Sequence, residues 1–225
     1  MPRRPTTPVS TEWTPRERQV LQRLRTPEHI QAWLDETPYS TEPIYRSPRT
    51  VMRDRRAHCF DGAVLAAAAF REHGGRALIL DMRAHRDDDH VLAVYQQDGC
   101  WGAVAKSNFV GLRARQPIYR NLRELVLTYF ELYYNMDGER ALRSFSPAID
   151  LDRVGHPTWR VEDRCMKHIA AHLDRAPHEP LMKPAQVRKL TRVDKLTYQA
   201  NMLGVDLDGV YWPSGKKRVA PPKLS

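Results

Sequence analysis

Cysteine is scarce in this chain. Its three copies, Cys59, Cys100 and Cys165, stand far apart and form no C-x-x-C pair. That spacing supplies neither a disulfide framework nor a zinc knuckle, so a reducing compartment, the cytoplasm, is expected. No apolar run approaches the length that crosses a bilayer, and the charged start Met1-Pro2-Arg3-Arg4 has no apolar segment behind it. Neither a membrane anchor nor a secretory signal is expected. Acid is also in deficit, with 27 Asp and Glu against 36 Lys and Arg, a net charge of +9. Such a balance draws polyanions nonspecifically. The basic residues are spread along the chain, however, with only a mild concentration at Lys216-Lys217-Arg218. No helix–turn–helix, zinc-finger spacing or aromatic-interleaved RNA motif occurs, which argues against nucleic acid as the partner. Nothing repeats at a fixed period. The length of 225 residues suits one domain with extensions.

What the chain does have is one unusual apolar stretch. From Cys59 to Phe70 it is small and apolar, with five alanines and no charge after Asp61, and Gly74-Gly75 closes it. Alanine favours helix, glycine supplies the left-handed stop, and a helix apolar all round belongs inside a core. Cys59 then falls in the first turn, where free N–H groups and the positive end of the macrodipole favour a thiolate. Arg53, Arg55, Arg56 and His58 lie just upstream and add positive potential. The plainer reading is a small buried hydrophobe, as free cysteines often are. A histidine brought to the sulfur decides between them.

Around this helix the chain reads as follows. Residues 1–13 are rich in proline, threonine and arginine and are expected to be disordered. Thr14-Pro15-Arg16-Glu17 and Thr26-Pro27-Glu28 carry helix-start signals, and residues 38–48 form a loop that walls the surroundings of the cysteine. Past Gly75 the period changes to that of strands. Ala77–Leu80 and His90–Tyr95 are apolar runs, Asp98-Gly99 is a hairpin turn, and Cys100–Ala105 returns. With that two-residue turn, cross-strand partners sum to 197, so His90 faces Ser107. A core helix follows from Asn121 and ends near Asn135 to Gly138, residues 144–154 are extended or looped, 161–173 form an amphipathic helix, and 184–203 give one or two more. From residue 205 the chain reads as a basic tail. A buried helix followed by a small antiparallel sheet is an α+β pattern.

Nucleophilic catalysis by cysteine needs a thiolate, a histidine that takes and returns the proton, and a group that orients the histidine. His90, at the head of a strand, is the strongest partner for Cys59. His58 is its sequence neighbour and points elsewhere, while His73 lies roughly 20 Å away at the far end of the same helix. His85 sits in a polar loop, and His29, His156, His168, His172 and His178 lie in flanking segments. The run His85-Arg86-Asp87-Asp88-Asp89-His90 also has the composition of a divalent-ion site. Its interposed arginine and the lack of alternating ligands favour a solvated acidic loop that positions His90, and no metal or other cofactor is expected.

At these residues the chain resembles the transglutaminase-like superfamily, cysteine enzymes of papain-like fold. The resemblance rests on a cysteine opening an apolar helix, a strand, a histidine heading a hairpin and a tryptophan-containing return strand, over about residues 50–110. Ala57–Ala63, Asp87–Val91, Trp101-Gly102-Ala103 and Arg143-Ser144-Phe145-Ser146 are similar to a functionally uncharacterised bacterial subgroup, to about residue 155. It implies a domain over residues 14–155, a helical extension over 156–204, and acyl transfer or amide hydrolysis through a Cys59 thioester. His90 would be general base and acid, the Cys59 N–H an oxyanion donor, and the substrate a protein, peptide or small amide. The chain departs from the family at the third position, which falls on Ala105; no Asp or Glu occurs from Cys100 to Asn121. Asn108 ranks first as the orienting group, since it accepts from an imidazole N–H. Ser107, Asp81 and Asp87 to Asp89 are alternatives. With no orienting group at all, the chain would be a degenerate relative that binds without turnover.

Overall fold

The computed structural model describes residues 12–213. Four helices come first: α1 (Pro15–Arg23), α2 (Pro27–Asp35), α3 (Pro48–Asp54) and α4 (Cys59–Glu72). Thr14, Thr26 and Ser47 cap the first three with their hydroxyls, and each of these helices has proline at its start. In α4 every residue from Phe60 to Ala69 is buried, as the apolar composition dictates.

Strands β1 (Leu78–Ala84), β2 (His90–Gln97), β3 (Cys100–Val104), β4 (Arg115–Tyr119), β5 (Leu142–Phe145), β6 (Ile149–Asp150) and β7 (Glu179–Pro180) form one sheet. Its order is β4-β3-β2-β1-β5-β7, with β6 also on β1, and every pairing is antiparallel. The β2–β3 hairpin has the anticipated register, from Ala93 opposite Val104 to Gln97 opposite Cys100. Asp98 and Gly99 turn it with φ of 51° and 79°, the left-handed pair that a two-residue hairpin requires. The first strand runs four residues further than the apolar run suggested, because Asp81 and Met82 pair with β2 and Met82, Arg83 and Ala84 pair with β5.

The two faces of the sheet carry separate cores. Ile79, Val91, Ala93 and Val104 pack under α4 with α7 (Met166–Arg175). Leu80, Met82, Leu92, Val94 and Ala103 pack on the other side with α5 (Leu122–Leu127), Tyr129 and Phe145. The apolar stretch after Asn121 is broken: α5 ends at Leu127, and a 3₁₀ turn at Phe130–Leu132 follows. Residues 144–154 hold the end of β5, β6 and the four-residue α6 (Leu151–Val154). The helix expected over 161–173 is a 3₁₀ turn at Asp163–Cys165 leading into α7. Trp159, Val161, Met166 and Ile169 join the α4 core, so the segment after residue 155 is integral to it. Two short helices, α8 (Pro184–Val187) and α9 (Lys195–Asn201), complete the elements relevant here. The tail from 205 begins as packed chain: Asp206 exchanges two hydrogen bonds with the Asn108 amide, at 2.8 and 2.9 Å. Its basic residues 216–218, and nearly all of the N-terminal segment 1–13, lie outside the described residues. Among the described residues no helix is long and apolar enough to cross a membrane.

Candidate active site

Cys59 is the first residue of α4, so its amide has no intrahelical acceptor. Its thiol donates to the Asp89 carbonyl at 3.7 Å, at the foot of β2. The residue keeps partial exposure. The thiol is nonetheless pushed up to about 12, first by burial and then by Asp61, Asp81 and Asp88, with the Val91 N–H pulling it down. Burial thus works against the activated thiolate expected from the helix position, and the reason is local. Asp61, fully buried at the third helical position, accepts from the backbone N–H of Arg46 at 2.8 Å and of His58 at 3.4 Å. A carboxylate already occupies the positive helix end that a thiolate would use. Two of the three upstream arginines are engaged elsewhere: Arg53 pairs with Asp54 at 2.6 Å, and Arg55 lies over the Trp33 ring at 4.1 Å.

His90 opens β2 and is 5% exposed. Alternation places its side chain on the Leu92 and Val94 face, opposite α4, where the ring meets Tyr133 edge-on at 6.3 Å between centroids. Its Nε2 donates to the Leu112 carbonyl at 2.8 Å. A carbonyl only accepts, so Nε2 carries the proton and Nδ1, which has no partner among the described residues, keeps its lone pair. Burial lowers His90 to about 4, with Arg115 adding to the fall and the Leu112 bond opposing it. At neutral pH the imidazole is therefore a neutral base.

The structure brings Cys59 and His90 to one cavity of about 40 Å³ at the end of β2, shared with Tyr39, Asp87 and Tyr133. No hydrogen bond joins them. They reach it from opposite faces of the strand, and the volume accommodates one water. Asn108 does not orient the imidazole. Both polar atoms of its amide are committed to the Asp206 backbone, and the role falls to Leu112. Ser107 accepts from the Phe109 N–H, Asp89 from the Ala84 N–H and Asp87 from the Asp88 N–H, so none of these holds the ring either.

A larger cavity, of about 550 Å³, opens on the other side of Cys59. The loop 39–45 walls it, because Asp61 anchors the buried Arg46 behind that loop. Tyr39, Tyr45, Phe60 and Tyr211 give it aromatic sides. Glu42, Asp81, Asp88, Asp89, Asp174 and Asp208 give it six carboxylates, and among the described residues no lysine or arginine lines it. The acidic loop is only partly solvated: Asp88 and Asp89 are exposed, whereas burial pushes half-buried Asp87 up to about 8. Arg86 of that loop, left-handed at φ 54°, turns away to Asp137 and Glu139 at 3.2 and 2.9 Å.

Three features of the site lie beyond what residue type and spacing indicate, and Asp81, an alternative for orienting His90, is engaged by His178 instead. Asp81, 4% exposed, takes a hydrogen bond from the buried His178 at 3.0 Å, and burial raises its carboxyl. The signal for Asp81 was its charge within an apolar strand; His178 gave none, as the contact spans 97 residues. Tyr211 returns to line both cavities from the segment taken as tail. The Leu112 carbonyl is a backbone group, invisible to residue type. No protein-family model matches the chain, and no curated protein matches it.

Proposed function

We propose that the chain is a cytoplasmic cysteine acyltransferase or amidohydrolase of papain-like, transglutaminase-like fold, acting on a protein, peptide or small amide through a Cys59 thioester. The observation that carries this is the cavity Cys59 shares with His90, whose Nε2 is fixed on the Leu112 carbonyl while Nδ1 stays free. A thiol near 12 beside an imidazole near 4 is no preformed ion pair. Activation therefore runs by general base. His90 Nδ1 takes the thiol proton, directly or across one water, as sulfur attacks the acyl carbon, and returns it to the leaving group. The Cys59 N–H, which has no intrahelical acceptor at the first position of α4, donates to the developing oxyanion.

Intact-mass analysis with p-nitrophenyl acetate tests the proposal. The expected result is a hydroxylamine-labile acetyl adduct on Cys59, absent in Cys59→Ala and formed roughly 10²–10⁴-fold more slowly in His90→Ala. No adduct, or adducts only on Cys100 or Cys165, would overturn it. A second reading is favoured by one observation, that no hydrogen bond joins sulfur and ring: a protein that binds in the larger cavity without turnover. The same measurement separates the two.

A further inference from the structure

We propose that His156, Glu162 and Cys165 form a binding site for a zinc-class transition-metal ion at the turn before α7, separate from the Cys59 cavities. One donor atom from each residue lies within 4.8 Å of the others. The set combines a thiol, an imidazole and a carboxylate. Sulfur and nitrogen donors select Zn²⁺ over Mg²⁺ or Ca²⁺, which take oxygen alone.

The scaffold is rigid. Trp159, Val161, Cys165 and Met166 are fixed in the α4 core. Backbone bonds close the turn, from Trp159 N–H to the His156 carbonyl at 2.8 Å and from Glu162 N–H to the Thr158 carbonyl at 3.0 Å. Cys165 is 6% exposed, yet its sulfur does not face aliphatic groups alone. It meets the Thr158 hydroxyl at 3.4 Å and the Glu162 carboxylate at 3.9 Å. A cysteine serving only as a small hydrophobe has no need of that polar niche.

The Thr158 hydroxyl marks the focus. It lies 2.8 Å from His156 Nδ1, bonds to Glu162, and approaches Cys165. Rotation about its Cα–Cβ bond clears that point for an ion. On binding, the Cys165 thiol loses its proton to solvent and becomes the thiolate ligand. Arg164, which holds Glu162 at 2.8 and 3.1 Å, yields one oxygen; its side chain is 74% exposed and free to swing. Three protein ligands leave the fourth position of a tetrahedral ion to water.

Titration of the metal-free full chain with Co²⁺, a spectroscopic stand-in for Zn²⁺, tests the site. The expected result is one equivalent bound, with thiolate-to-cobalt charge-transfer absorption and the visible bands of four-coordinate cobalt, both abolished by Zn²⁺. Cys165→Ser removes the charge-transfer absorption, and His156→Gln, at an exposed position, weakens binding roughly tenfold or more. The proposal is overturned if no such spectrum develops, or if the charge-transfer absorption survives Cys165→Ser. Should Cys165→Ser fail to fold, His156→Gln decides: unchanged affinity there overturns the site.

Discussion

A thiol at about 12 and an imidazole at about 4 both sit on the uncharged side of neutrality, and burial is the first cause of each. For Cys59 this sets how it meets simple electrophiles, which only the thiolate attacks. Iodoacetamide is expected to label Cys59 more slowly than Cys100 at pH 7, with a rate climbing about tenfold per pH unit towards pH 10. Peptide mapping of labelled protein reads both rates; a plateau near pH 8 would mean that the thiol is not raised. For His90 the consequence is thermodynamic. Its folded pKa lies below the unfolded value near 6.5, so the unfolded chain binds the extra proton between pH 6.5 and 4. Stability from this group is thus full above pH 6.5 and lost as pH falls towards 4, on the order of 3 kcal/mol. Asp81 and Asp87, raised by burial, act with the opposite sign over the same range, so the comparison must be between variants. Relative to the native chain, His90→Gln should gain stability between pH 6.5 and 4 in urea denaturation. Parallel curves would refute the assignment of a buried neutral imidazole.

At the scale of elements, α4 and the hairpin were legible because each rests on local chemistry: an unbroken apolar run, and a turn pair that tolerates positive φ. The register followed from the turn only as far as Ala93 opposite Val104; β3 ends there, and His90 pairs with Met82 of β1 and not with Ser107 as expected. What was not legible lies in long-range contacts and in backbone groups. Period two puts Val91 under α4 and His90 on the far face, but the alternation alone could not say which face α4 would cover. Asn108 faced a competitor 98 residues away, and the Asp206 backbone won both of its polar atoms. Another such contact explains a glycine inside α4. A Cβ on Gly62 would stand 2.4 Å from the Cβ of Lys106, whose Nζ is held by the Leu34 carbonyl at 2.9 Å and by the Thr37 carbonyl. Helix propensity favours Gly62→Ala by about 1 kcal/mol, whereas overpacking costs about 1–3 kcal/mol. Gly62→Ala is therefore expected to lower the melting temperature; a rise would show that β3 and its continuation yield to α4 at little cost.

Across the whole molecule the sign of charge inverts at the site. The chain carries +9, yet among the described residues the large cavity beside Cys59 is lined by six carboxylates and by no lysine or arginine. The basic residues are instead distributed over exterior ion pairs such as Arg71–Asp152, Arg123–Glu179 and Arg140–Glu131. A cleft of one sign with low-dielectric aromatic walls concentrates ligands of the other sign, and salt weakens the effect. If Cys59 acylates, a cationic ester should react faster than an anionic one of matched leaving group, by about tenfold or more at low ionic strength. The ratio should shrink as salt screens the field. Among the described residues Asp174, on the cavity wall, makes no hydrogen bond to Cys59 or His90, and Asp174→Asn should lower the ratio by slowing the cationic ester while leaving a neutral ester unchanged. Steady-state kcat/KM for nitrophenyl esters of arginine, alanine and glutamate derivatives, at two salt concentrations, measures all of this. Equal values for the three would show that the acyl group never enters the carboxylate-lined cavity and that substrate reaches Cys59 from elsewhere.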